Sequence, residues 1–163
     1  MFALATAPAA SRTVLHAQLL EQARALLAGE RDATANAANL ASLVFHTLPD
    51  LNWAGFYWLK GAELVLGPFQ GKPACVRIAL GKGVCGTAVR EARAIVVPDV
   101  HAFPGHIACD SASNSELVVP VMKDGRVLGV LDLDSPSRGR FNEEDAHALA
   151  SLVGAFVEMS DLG

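Results

Sequence analysis

The spacing of apolar residues changes twice along this chain, and that change limits its fold more than any other feature. Between residues 13 and 28 the apolar positions Val14, Leu15, Leu19, Leu20, Ala23, Leu26 and Leu27 recur at helical intervals, and Gly29 ends the run. Asp32 can cap a second helix whose apolar face runs Ala33, Ala37, Leu40, Val44 and Leu48, with Pro49 as its stop. The period then becomes two. Residues 53–59 and 63–66 read as a hairpin through Lys60-Gly61, residues 75–80 and 94–97 as short strands, and residues 116–122 and 126–133 as two apolar strands around Lys123-Asp124-Gly125. A short helix is expected over residues 84–91. After Asn142, an N-cap followed by three acids, the helical period returns with Ala148, Leu149, Leu152, Val153, Phe156 and Val157. Helices at both ends and strands between them give an α+β fold: a central antiparallel sheet of about six strands, with the N- and C-terminal helices packed on one face.

The length of 163 residues, 52% of them apolar and 18% charged, suits one folded domain over residues 13–163, preceded by an N-terminal tail over residues 1–12. That tail is apolar but has no positive leading segment, so no secretion signal is expected. Thirteen basic against seventeen acidic residues, without a Lys/Arg run, argues against nucleic acid or an anionic membrane as partner. No apolar stretch approaches the roughly 18 residues of a membrane helix. Three cysteines, with no Cys-x-x-Cys pair, fit neither a disulfide framework nor the usual zinc patterns. Reduced thiols in a cytoplasmic protein are expected, with no metal and no cofactor.

Residues 99–114 carry no periodicity, and a loop of that length is either functional or disordered. Within it Cys109 sits among small polar residues, Glu116 opens the next strand, and Asp132-Leu133-Asp134 closes the one after. Carboxylates disfavour a nearby thiolate, so placing a thiol beside several acids suggests a site where something is both attacked and protonated. If Lys123-Asp124-Gly125 is a three-residue loop with Gly125 left-handed, Met122 pairs with Arg126, Glu116 lies opposite Asp132, and Asp134 shares their face. The other face, Leu117, Val119, Val121, Val127, Leu131 and Leu133, is wholly apolar. A two-residue loop would shift the register by one and turn Glu116 into the core, so the first register is expected. Three clustered carboxyls cannot all ionise cheaply. At least one becomes a proton donor near neutral pH, and the others can hold an ammonium. From spacing alone, a solvated strand end with its acids in water competes with this reading, and Asp-x-Asp without a ligand loop is a weak metal signal.

Gly81-Lys82-Gly83-Val84-Cys85-Gly86-Thr87-Ala88, Asp99-Val100-His101, residues 105–116 and Gly129-Val130-Leu131-Asp132-Leu133-Asp134-Ser135 resemble the GAF-domain free methionine-(R)-sulfoxide reductases. Asn52-Trp53-Ala54-Gly55-Phe56-Tyr57 and Ala74-Cys75-Val76-Arg77-Ile78 extend the resemblance, which covers roughly residues 13 to 159. It implies a GAF-like fold and a set of roles. Cys109 would attack the sulfoxide sulfur and become a sulfenic acid, Cys75 would resolve that as a disulfide, thioredoxin would reduce it, and Cys85 would be an auxiliary thiol. Glu116, Asp132 and Asp134 would bind the sulfoxide oxygen and the substrate ammonium, and Trp53 and Tyr57 would wall the methyl-sulfur end. The chemistry needs these residue types, because a sulfoxide sulfur becomes electrophilic when its oxygen is protonated.

Each residue also has a plainer reading. Cys85 in an apolar helical turn can be a small hydrophobe, as can Cys75 at a strand start, whereas the polar loop around Cys109 offers no apolar packing. Trp53 and Tyr57, four apart, can be ordinary core aromatics. His106, three before Cys109, could activate it or ligate metal, but a hydrogen-bonded loop histidine accounts for it as well, and it has no assigned role; Gly81-Lys82-Gly83 lacks the rest of a phosphate loop. Two other functions compete: a regulatory GAF module binding a small ligand without turnover, and a thiol redox sensor in which the acids are incidental. A homodimer through the apolar faces of the terminal helices is also expected.

Overall fold

The computed structural model describes residues 11–163. The first ten residues of the expected tail lie outside it. Ser11 accepts from the Val14 N–H and opens α1 (Arg12–Leu27), which buries His16, Leu19, Ala23 and Leu27 at helical spacing. Asp32 accepts from the Ala35 N–H and caps α2 (Ala33–Thr47), whose buried stripe includes Ala37, Leu40, Ala41 and Val44. Leu48 before Pro49 turns extended, as the residue ahead of a proline prefers. The last helix, α4 (Glu143–Met159), starts in a reciprocal capping box between Asn142 and Asp145, with acids at the positive end of the helix dipole.

Between these helices lie β1 (Trp53–Lys60), β2 (Glu63–Gly71), β3 (Arg77–Ala79), the short helix α3 (Gly83–Glu91), β4 (Ile95–Val97), β5 (Ser115–Lys123) and β6 (Arg126–Ser135). The sheet has six strands in the order β3-β2-β1-β6-β5-β4, with every neighbouring pair antiparallel. Helices α1, α2 and α4 cover one face, where Leu19, Leu40, Leu149 and Phe156 meet Phe56, Leu117, Val119, Val121, Leu131 and Leu133. The opposite face holds a second cluster, in which Val84, Ala88 and Val89 of α3 pack on Trp53, Tyr57, Leu64, Ile78, Val118 and Val130. Among the described residues no helix is long and apolar enough to cross a membrane.

Three strand details differ from expectation. β2 runs on to Gly71, and β3 holds only three residues, which leaves Cys75 in the loop before it. The turn of the second hairpin has two residues, not three: Lys123 pairs with Arg126, and Asp124 and Gly125 both adopt positive φ (51° and 74°), the pairing a tight primed turn requires. This shift alone would have sent the acids to the wrong face. A bulge corrects it, because Met122 pairs with Val127 while Val121 pairs with Gly129, so Leu128 is left over. Glu116 therefore lies opposite Asp134, not Asp132, which faces Val118. Val127 packs with the second cluster and not, as expected, with the helix-covered core.

Candidate active site

Strand alternation aims Trp53 and Tyr57 of β1, Glu116 of β5, and Asp132 and Asp134 of β6 at the face away from the three large helices. Trp53 lies directly across from Asp134, and Asp134 across from Glu116, so an aromatic and two acids form one row across three strands. These side chains line a cleft closed on its flanks by the loop at Lys72–Ala74, the first turn of α3 and the loop carrying His106, Cys109, Asp110 and Ser113.

One wall is aromatic. The Trp53 ring stacks on Phe69 at 5.3 Å and on Tyr57 at 5.8 Å between centroids. Gly55 makes room for it, since a Cβ there would sit 2.7 Å from Trp53 Cη2. The wall also holds the neighbouring loop: Trp53 Nε1 donates to the Lys72 carbonyl (3.2 Å) and the Tyr57 hydroxyl to the Cys75 carbonyl (2.9 Å). Cys75 and Cys109 form a disulfide with Cα atoms 5.5 Å apart, which ties the two flanking loops together.

The floor is acidic and dry. Glu116 and Asp132 are each only 6% exposed, and Asp134 is half-buried. Burial pushes all three carboxyls well above the ordinary range, and they raise one another: Asp134 acts on Glu116, Glu116 on Asp132, and Asp132 on Asp134. Each shift favours the protonated carboxyl over the carboxylate. The solvated strand end that competed in the sequence is excluded by this burial. Cys85 enters from the first turn of α3, with its Sγ 4.0 Å from Glu116 Oε1. Burial first, then the negative field of Asp132, Glu116 and Asp134, pushes its thiol well up, so it stays protonated. Tyr57 is raised for the same reasons and remains a neutral donor. Cys85, Glu116 and Asp132 place donor atoms within 4.8 Å of one another, close enough to share a cation.

His106 approaches the far side of Glu116, Nε2 to Oε2 at 3.4 Å, and burial lowers its pKa. Asn52 Nδ2 donates to Asp110 Oδ2 (3.2 Å) and Ser113 Oγ (3.0 Å), and Asp110 Oδ1 accepts from the Ala112 N–H. Those hydrogen bonds, the Ala112 bond first, lower the Asp110 pKa and fix the loop beside Cys109. Lys82 gives α3 no side-chain cap, and Gly83, Val84 and Cys85 of its first turn border the cleft at the positive end of the helix.

Every residue singled out from the sequence converges here: Cys75, Cys85, Cys109, Trp53, Tyr57, Glu116, Asp132 and Asp134. The structure adds Asn52, Lys72 and Asp110, and brings in the loop residues His106 and Ser113, which had no assigned role. Asn52 and Asp110 each adjoin a residue already chosen, which is the signal that could have raised them. The contact between His106 and Glu116 joins residues across a loop without periodicity, and no spacing rule exposes it.

An antiparallel six-stranded sheet with α3 and a long loop enclosing a cleft on one face defines a GAF domain, and residues 34–157 match that family. The chain is 56% identical over 137 residues to Protein YtsP of Bacillus subtilis, covering 83% of this chain and 84% of that protein. It is 52% identical over 143 residues to free methionine-R-sulfoxide reductase of Escherichia coli, covering 88% and 87%. The X-ray structure of free methionine-R-sulfoxide reductase from Neisseria meningitidis in complex with its substrate superposes with a TM-score of 0.93 at 43% identity, covering 98% of this chain and 95% of that one. The chain belongs to the GAF-domain family of free methionine-R-sulfoxide reductases.

Proposed function

We propose that this protein reduces free L-methionine-(R)-sulfoxide to methionine at the cleft between α3 and the sheet. The observation that carries the reading is the Cys75–Cys109 disulfide standing at the rim of a pocket floored by three buried carboxyls. This is the product state of the chemistry. In the forward direction the Cys109 thiolate attacks the sulfoxide sulfur while a protonated carboxyl, Glu116 or Asp134, gives its proton to the oxygen. The hydroxyl then passes from the substrate sulfur to the Cys109 sulfur as the new S–S bond breaks, so methionine leaves with its sulfur electron pair restored and Cys109 is left as a sulfenic acid. The Cys75 thiolate then attacks that sulfur, water departs, and the disulfide forms. Two thiols lose two electrons and the sulfoxide gains them.

Recognition of the free amino acid follows from its charged termini. The ammonium meets the acid floor, where Asp132 Oδ1 is buried without a hydrogen-bond partner. The carboxylate meets the uncapped amides of α3, and the methyl-sulfur end lies against Trp53 and Tyr57. Cys85, buried and protonated, acts as an auxiliary thiol. Thioredoxin is the proposed reductant in a cytoplasmic setting, because each turnover consumes a dithiol. A homodimer is proposed through the apolar strip of Ala94, Pro120, Met122, Val153 and Val157.

The test couples turnover to NADPH oxidation through thioredoxin and thioredoxin reductase, with the free (R) and (S) sulfoxides and a peptide-bound sulfoxide as substrates. Turnover of the free (R) form alone, abolished in Cys109→Ser, is the expected result. Failure with every substrate, together with peroxide-driven closure of the disulfide, would replace this reading by a thiol redox sensor.

A further inference from the structure

Cys85 has no bond-forming part in the chemistry above, yet it is held by rigid elements against two carboxyls. Its Sγ lies 4.0 Å from Glu116 Oε1, and the Cys85, Glu116 and Asp132 donor atoms all fall within 4.8 Å of one another. The three come from the first turn of α3, from β5 and from β6, so the cluster arises from tertiary packing and not from a local spacing. A separate observation marks this spot as wanting a ligand: Asp132 is 6% exposed and its Oδ1 has no hydrogen-bond partner. Among the described residues no lysine or arginine pairs with Glu116, Asp132 or Asp134, and the one basic side chain beside Glu116 is His106.

We propose that Cys85, Glu116 and Asp132 form a binding site for a borderline-soft divalent cation of the zinc type, whose occupancy excludes the amino-acid substrate. The donor set selects the class of cation. One sulfur and two carboxylate oxygens with a fourth position open to the cleft is a tetrahedral arrangement for zinc. Hard cations require six or more oxygens and have no use for a thiolate. Zinc bond lengths place S and O ligands about 3.6 Å apart, so the 4.0 Å separation needs only a small inward turn of the side chains. Binding sends the Cys85 proton to solvent. His106, at the far oxygen of Glu116, keeps the near oxygen turned toward the sulfur. The cation would occupy the acid floor that otherwise receives the substrate ammonium, and this competition rests on the function proposed above. The metal site does not.

The experiment uses the oxidised protein, in which Cys75 and Cys109 are joined and Cys85 is the one free thiol among the three cysteines. Cobalt(II) is titrated and the absorption spectrum followed. The expected result is one equivalent with tetrahedral d–d bands and a thiolate-to-cobalt charge-transfer band, displaced by zinc and not by magnesium. Cys85→Ser should lose the charge-transfer band and bind zinc at least about 100-fold more weakly, the upper end of what losing even an outer-shell partner costs. Asp132→Asn, which keeps the thiol and the volume, should weaken zinc binding while preserving the band at saturation. Absence of the charge-transfer band in the wild type, or zinc affinity unchanged in both variants, overturns the site. If the band appears but free methionine sulfoxide does not displace cobalt, the metal site stands and its competition with the substrate is overturned.

Discussion

Strands β5 and β6 carry two different surfaces on one backbone. On the helix-covered face Leu117, Val119, Val121, Leu131 and Leu133 are buried against α4 and its neighbours, and these side chains are all apolar. On the other face the intervening positions Glu116, Asp132 and Asp134 bring three carboxyls into a cleft where, among the described residues, no lysine or arginine pairs with them. The first face stabilises the fold in proportion to the apolar area it hides. The second opposes folding whenever its acids must ionise. Because the residues alternate, the stable face holds the backbone under the costly one, and the acids cannot relax into water without breaking the core.

This contrast is best tested by substitutions that touch one face at a time. The largest effect is expected for Cys109→Ser, which should lower turnover at least about 10,000-fold. Its melting temperature should match that of reduced wild type, since both lack the disulfide. Next comes Leu131→Ala on the helix side, with a loss of about 2–5 kcal/mol in urea denaturation and unchanged turnover per folded molecule. Its neighbour Asp132→Asn should behave oppositely, with turnover down about 100-fold. The same change should raise stability near neutral pH by about 1 kcal/mol, because a neutral amide can donate to Glu116. A loss of stability in Asp132→Asn would break the comparison.

The acid face also makes a pH prediction with a definite sign. Glu116, Asp132 and Asp134 have folded pKa values raised above their ordinary values of 4.5, 3.8 and 3.8. Above those ordinary values the folded protein holds protons the unfolded chain has released. Their stabilising contribution is therefore complete at lower pH and is lost as pH climbs toward the raised values. Unfolding free energies measured between about pH 4 and pH 8 should decline more steeply in the wild type than in Asp132→Asn. Asp99 and Asp110 are shifted downward and act with the opposite sign, only below the ordinary range. The smallest effect is expected at Gly125→Ala, where φ is 74°: about 1 kcal/mol of stability and no change in turnover.

Much of this architecture is legible in the residues because it rests on local rules. Helix caps at Asp32 and Asn142, the stop at Pro49 and the two-residue period of β5 and β6 report short-range sterics and one-sided burial, and each leaves a mark in the chain. The facing of the acids was legible for a similar reason, since an apolar alternate set leaves them only one side. Their partners were not. Pairing Glu116 with Asp132 or with Asp134 depends on whether Leu128 is bulged out, and a Gly-Arg-Val-Leu-Gly stretch accommodates both a three-residue loop and a tight turn with a bulge. The depth of burial was also hidden, because it comes from α3 and residues 99–114 folding over the sheet. That loop has no period to read, which is why the contact between His106 and Glu116 emerged only in three dimensions.

The aromatic wall carries a last implication. Trp53 and Tyr57 face the cleft with their rings, and with their polar tips they hold the Lys72 and Cys75 carbonyls. One pair of side chains thus sets both what fits in the pocket and where the loop bearing Cys75 stands. A mutation that widens the wall also unmoors that loop, so the shape of the pocket and the speed of ring closure between the sulfurs are inherited together and cannot drift apart.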